Sequence, residues 1–123
     1  MPKAVKDEIE DVRKTDGYEG RYQELGGYTV GFEKYTADAD LTEMFKYLPD
    51  GRCQCPHWGV VLEGTVTYRT ADGEMNVGAG EAYYAPPGHV PYLHAGTEVI
   101  EFSPTEDLEQ TIKTVAEGLA SER

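Results

Sequence analysis

Residues 57–103, HWGVVLEGTVTYRTADGEMNVGAGEAYYAPPGHVPYLHAGTEVIEFS, decide the fold. Short runs rich in aromatic and β-branched residues alternate with turn chemistry. Gly64 separates 57-HWGVVLE-63 from 65-TVTYRT-70, and Asp72-Gly73 forms the centre of the turn 71-ADGE-74. Gly78-Ala79-Gly80 follows 75-MNV-77, and Pro86-Pro87-Gly88 ends 82-AYYA-85. Ala95-Gly96-Thr97 then joins 90-VPYLH-94 to 98-EVIEFS-103. Several short strands with turn signals between them predict an antiparallel sandwich or barrel.

Outward from this stretch the texture changes on both sides. Upstream, 28-YTVGFEKYT-36 alternates and reads as a further strand. Asp38-Ala39-Asp40 is a turn or cap, and 41-LTEMFKYL-48 fits a short helix or a strand until Pro49-Asp50-Gly51 ends it. Residues 1–24 are polar, with Val5, Ile9 and Val12 at roughly helical spacing, which predicts an arm or short helix. Downstream of Ser103-Pro104, Leu108, Ile112, Val115 and Leu119 recur at helical spacing. Thr105 is the expected cap, and Glu106 and Asp107 complement the helix dipole. One domain results: an arm over 1–24, a barrel over 25–104, and an amphipathic helix over 105–123 packed on the barrel or on a partner.

Composition narrows the function. Against 23 Asp and Glu stand 11 Lys and Arg, a net charge of −12, with excess acid in 7-DEIED-11 and 117-EGLASE-122. Nucleic-acid binding depends on neutralising phosphates with Lys and Arg, so this balance argues against nucleic acid and anionic lipid as partners. The first twelve residues, MPKAVKDEIEDV, lack a signal-peptide apolar run, and no stretch approaches the ~18 apolar residues of a membrane span. The two cysteines, close together in 53-CQC-55, are not a secreted disulfide framework. These features predict a cytoplasmic protein.

Cys53, Cys55 and His57 carry the chemistry. Along an extended chain, residues two apart point to one side, so extension through Pro56 would align two thiols and an imidazole. Thiolate and imidazole are ligands that zinc, iron and copper accept. The competing readings are buried cysteines that pack as small hydrophobes, histidines held by structural hydrogen bonds, and a redox pair.

Two stretches resemble the cupin superfamily, whose fold is a jelly-roll β-barrel, the double-stranded β-helix. Gly80, five residues and then Pro86-Pro87-Gly88 match the second characteristic cupin motif. Gly64 matches the last glycine of the first motif, which puts His57 at the motif's Glu and Cys53 near its second His. The usual His-x-His pair is replaced by Cys53-Gln54-Cys55-Pro56-His57, and the usual histidine after Pro-x-Gly is Pro91. The runs CQCPHWG and PPGH are similar to those of small single-domain bacterial cupins of unassigned activity. The resemblance implies an all-β cupin barrel, to which the periodicity adds the C-terminal helix. The usual cupin metal set does not transfer residue for residue. It is the thiol and imidazole ligand types that predict a divalent transition metal, zinc first and iron second. The resemblance implies His89 as the distal ligand beside Cys53, Cys55 and His57, with His94 second. Four protein ligands would make a closed, structural site, and three an open one suited to catalysis.

Tyr68, Tyr83, Tyr84, Trp58 and Phe102 supply aromatic surface near such a site. Tyr83 and Tyr84 point to opposite faces of a strand, so one of them lines the interior. Glu63, Glu81 and Glu101 are candidate general bases, with nothing to rank them. Trp58, Val60 and Leu62 lie opposite His57 and need a cover, which the N-terminal strand, the C-terminal helix or a second subunit could provide. Analogy with small jelly-roll domains favours a homodimer. Three functions are weighed: a metal-binding cupin acting on a small organic molecule, a non-catalytic ligand-binding cupin with a structural metal or none, and, disfavoured by the inward His and Cys, an interaction module with no pocket.

Overall fold

Alternation and tight turns produce ten strands and one helix in the computed structural model, which describes residues 1–122. The strands are β1 (Asp11–Thr15), β2 (Tyr18–Leu25), β3 (Tyr28–Tyr35), β4 (Ala39–Asp40) and β5 (His57–Glu63). There follow β6 (Thr65–Thr70), β7 (Gly73–Gly78), β8 (Ala82–Ala85), β9 (Val90–Leu93) and β10 (Thr97–Pro104), and the helix is α1 (Thr105–Ser121). A six-stranded sheet runs β1-β2-β3-β10-β5-β8, and a four-stranded sheet runs β4-β9-β6-β7. Every pairing is antiparallel. The main core lies between the sheets, where Tyr35, Val61 and Val99 of one meet Val66, Val77 and Leu93 of the other. This is the predicted jelly roll with its C-terminal helix.

The N-terminal quarter differs from expectation. Where residues 1–24 were expected as an arm or short helix, one 3-10 turn at Lys6–Glu8 leads into β1 and β2. The turns explain the difference. Asp16-Gly17 and Gly26-Gly27 are two-residue hairpin connections, with positive φ of 83° at Gly17 and of 59° and 88° at the glycine pair. They fold β1, β2 and β3 into a meander, with Tyr18 paired to Tyr35 and Leu25 to Tyr28. Of Val5, Ile9 and Val12, only Ile9 is buried, so their helical spacing had no helix face behind it.

The ambiguous segment 41–48 is neither long helix nor strand. A 3-10 turn at Met44–Tyr47 is followed by another at Pro49–Gly51, and together they bring Phe45 and Leu48 into a second apolar cluster. That cluster holds Cys53, Cys55 and Val90, and α1 adds Leu108 and Val115. Ile112 and Leu119 of the same helix remain largely exposed. Thr105 is the first helical residue rather than a cap, and its hydroxyl pairs with Thr29 Oγ1 at 2.9 Å. Arg123, the last residue of the predicted helix, lies outside the described residues.

Two glycines separate two costs. At Gly64, φ is +77° and an added Cβ would stand 2.7 Å from the Thr97 Cα and 2.9 Å from the Gly96 carbonyl oxygen. At Gly88, φ is +96° but nothing lies within 4 Å of the added carbon. Gly64→Ala combines left-handed backbone strain with a backbone clash, and should cost about 3 kcal/mol. Gly88→Ala carries the backbone term alone, about 1–2 kcal/mol. Urea denaturation of both variants checks this; equal losses would contradict the clash at Gly64.

Candidate metal centre

Cys53 and His89 exchange backbone hydrogen bonds as an isolated antiparallel bridge, Cys53 N–H to His89 O at 2.9 Å and His89 N–H to Cys53 O at 3.3 Å. The Gly88 amide donates to the same Cys53 carbonyl at 2.7 Å. The turn Pro86-Pro87-Gly88 thus delivers His89 to the side of Cys53. His57, the first residue of β5, points inward from the opposing sheet. The ligand atoms of Cys53, His57 and His89 all lie within 4.8 Å of one another, and all three residues are buried.

The hydrogen bonds set the imidazoles for coordination. His89 Nδ1 faces the Pro86 carbonyl at 2.6 Å, and a carbonyl can only accept, so Nδ1 carries the proton. His89 Nε2 is then a bare lone pair, and it has no hydrogen-bond partner among the described residues although His89 is 1% exposed. Burial holds its pKa down to about 4, which keeps the ring neutral. His57 Nδ1 lies 2.7 Å from Ser103 Oγ and 3.3 Å from Glu101 Oε1, which orients its Nε2 toward Cys53 Sγ at 3.7 Å. Sulfur and nitrogen on one tetrahedral zinc stand roughly 3.5 Å apart, from Zn–S near 2.3 Å and Zn–N near 2.0 Å. Outer hydrogen bonds that fix the second ring nitrogen are the usual support of a metal-bound histidine. Donor types, spacing and the orphaned His89 nitrogen therefore fit a transition-metal ion.

Cys55 is not in this group. The chain bends at Cys55 instead of staying extended through Pro56, so the two-residue periodicity is lost. The Cys55 thiol packs in the cluster with Phe45, Leu48 and Val90, and lies 3.5 Å from the Pro56 carbonyl. Burial pushes the Cys53 thiol up to about 11 and the Cys55 thiol up to about 12, values expected of thiols with no cation beside them. His94 is outside the group too: its Nε2 pairs with Thr67 Oγ1 at 3.0 Å.

The other sequence candidates separate by face. Tyr83 is buried and Tyr84 is 48% exposed, as the alternation requires. Trp58 and Phe102, expected near the site, are exposed on the outside of the sheet beside Tyr84. Of the three glutamates, Glu101 alone reaches the centre. Its Oε2 accepts from Tyr68 at 2.9 Å and from Tyr83, and its Oε1 faces His57. Burial, then the Glu101 charge, raises both phenols well above the usual tyrosine range, so they act as donors.

A cavity of about 620 Å³ opens from the centre along the inner face of the six-stranded sheet. The sequence reading missed its far end, where Tyr22 and Tyr18 donate to Glu33 Oε2 at 2.5 and 3.4 Å. Burial, then the nearby Glu101 charge, pushes the Glu33 carboxyl up to about 7. The available signal was the inward register of 29-TVGFEKY-35, in which Thr29, Gly31, Glu33 and Tyr35 all line the cavity.

No family model matches the sequence, and no curated protein matches it. Solved structures do share its architecture, and its fold is the one seen in cupins. An RmlC-like cupin from Shewanella frigidimarina superposes with a TM-score of 0.56 at 12% identity, over 82% of this chain and 88% of that one. Ectoine synthase from P. lautus gives 0.58 at 18% identity, over 85% and 78%. A Rhizobium leguminosarum protein of unknown function gives 0.60 at 22% identity, over 84% and 94%. Among the described residues, no helix is long and apolar enough to cross a membrane.

A raised carboxyl pKa costs stability as pH rises, because the folded chain holds the proton more tightly than the unfolded one. For Glu33 that loss runs from about pH 4.5 to about 7. Glu33→Gln should match the parent protein in stability near pH 4.5 and exceed it at pH 8. Denaturation midpoints at the two pH values check the sign; a variant less stable at pH 8 would contradict it.

Proposed function

We propose that this chain is a metal-binding cupin whose centre, Cys53 Sγ with the Nε2 atoms of His57 and His89, holds one divalent transition metal beside a small-molecule cavity. Zinc is the first expectation and iron the second, given one thiolate and two imidazoles. The observation that carries this reading is the buried, unpartnered Nε2 of His89, aimed at two other ligand types. Three protein ligands rather than four favour a working centre over a purely structural one. A divalent ion there would supply Lewis acidity toward a bound oxygen or water. The chain's own groups complete the site: Ser103 and Glu101 hold the His57 ring, and Tyr68 and Tyr83 keep Glu101 hydrogen-bonded and facing the cavity. Two reduced, buried thiols suit a cytoplasmic setting.

Assembly belongs to the same proposal. Tyr28, Trp58, Tyr84, Phe102 and Leu62 are all exposed on the outer face of the six-stranded sheet. Trp58 packs against Tyr28 and Tyr84 at ring-centroid distances of 5.8 and 5.1 Å. Such a contiguous aromatic face fits the expected homodimer. Trp58→Asp should shift the protein from dimer to monomer in sedimentation velocity, with metal content unchanged; a parent protein already monomeric at high concentration would refute the interface.

Elemental analysis of protein purified without a metal-affinity tag tests the centre. About one equivalent of a transition metal is expected, retained in Cys55→Ser and well below stoichiometric in Cys53→Ser and His89→Ala. A folded protein without metal would favour the alternative, a metal-free ligand-binding cupin. Loss in Cys55→Ser as well would restore that thiol to the ligand set.

A further inference from the structure

The far end of the cavity is built around two carboxylates, and the one basic side chain in its lining, Arg13, forms an ion pair with neither. Glu33 and Glu101 are diagonal neighbours on β3 and β10, since Glu33 pairs with Val99 and Glu101 with Gly31. Both side chains face the cavity. Phenols satisfy only part of each: Tyr18 and Tyr22 share Glu33 Oε2, and Tyr68 and Tyr83 share Glu101 Oε2. Glu33 Oε1 accepts no hydrogen bond from the described residues. No lysine or arginine forms an ion pair with either carboxylate among the described residues. Arg13 lies over the Tyr22 ring at 4.6 Å from its centroid, where its charge offsets the Glu33 carboxylate only weakly, and its guanidinium is engaged by both carboxylate oxygens of Asp11.

Two half-buried carboxylates side by side are costly unless a counter-charge joins them. The raised Glu33 carboxyl is the signature of that unmet cost. Around them, Tyr18, Tyr22, Tyr35, Tyr68 and Tyr83 present aromatic surface, which attracts cations through the ring faces. A second observation marks the same cavity as a ligand site: the His89 nitrogen, buried and without a partner, opens into its other end.

We infer that the cavity binds a small organic ammonium compound, its charged nitrogen between Glu33 and Glu101 and its other end toward Cys53, His57 and His89. The inference rests on the reading of this cavity as a small-molecule site and names the ligand class. The aliphatic part of such a molecule fits the apolar wall supplied by Val99, Leu93 and Leu108. An anionic ligand is excluded from this end by the same two carboxylates, so charge alone discriminates between ligand classes.

The test is calorimetric titration at pH 8 in amine-free borate buffer, with n-butylammonium, n-butanol and butyrate as probes of equal chain length. Butylammonium should bind about tenfold or more tightly than butanol, as expected for a charge-assisted pair, and butyrate should not bind. Glu33→Gln should remove that preference by about tenfold while leaving butanol within about twofold. Tyr22→Phe, which keeps the carboxylate, should retain the preference. Butylammonium binding no tighter than butanol, or unchanged in Glu33→Gln, would overturn the inference. Should Glu33→Gln fail to fold, the three probes on the parent protein decide it. Metal content measured on the same samples separates the two readings. Metal bound with no ammonium preference sinks this inference alone, and ammonium preference without metal sinks the metal centre alone.

Discussion

The centre of this protein depends on the pair of backbone hydrogen bonds exchanged between Cys53 and His89. They join a loop before β5 to the turn before β9, and they bury amides that would otherwise lack partners. Gly88 allows the turn its positive φ, and the Pro86 carbonyl then fixes the tautomer of the histidine that follows. The ligand geometry is therefore determined by main chain, not by side-chain rotamers alone. Preorganisation of this kind would lower the cost of binding an ion, and His89 Nε2 is the buried atom left without a partner among the described residues.

The inner face of the six-stranded sheet trades packing for chemistry. Its glycines make room for phenols: a Cβ on Gly59 would stand 2.5 Å from the Tyr83 hydroxyl, and one on Gly31 would stand 2.8 Å from the Tyr22 ring. Tyrosines enter those spaces and turn their hydroxyls to Glu101 and Glu33. A fully apolar filling of the same volume would serve stability better. The polar lining is thus not accounted for by folding stability, and it sits where the sheet approaches the Cys53, His57 and His89 group.

How far the sequence carried can be argued residue by residue. The barrel was legible because its turn residues and alternating runs agree from Gly64 to Thr97, and the helix because Leu108 and Val115 keep a true packing period. The β1–β2–β3 meander was written plainly in Asp16-Gly17 and Gly26-Gly27, but three apolar residues at helical spacing obscured it. Three of four proposed ligands come together; Cys55 does not, because a local bend is invisible to periodicity. Glu33 and its tyrosines were illegible for a different reason. Tyr18 and Tyr22 meet Glu33 across the β2–β3 hairpin, which needs the Gly26-Gly27 turn to be read first. Glu33 meets Glu101 only through β3 against β10, a long-range pairing that no short window contains.

Three site residues are each followed directly by an outer-face aromatic: His57 by Trp58, Tyr83 by Tyr84, and Glu101 by Phe102. Interior chemistry and exterior surface are interleaved along the same three strands, one residue out of phase. A substitution at either member of a pair leaves the other in place. Inserting or deleting a single residue within β5, β8 or β10 would exchange the two, turning an imidazole or carboxylate to the outside and a large ring into the cavity. A change of side chain on these strands is therefore felt on one face, whereas a change of strand length is felt on both.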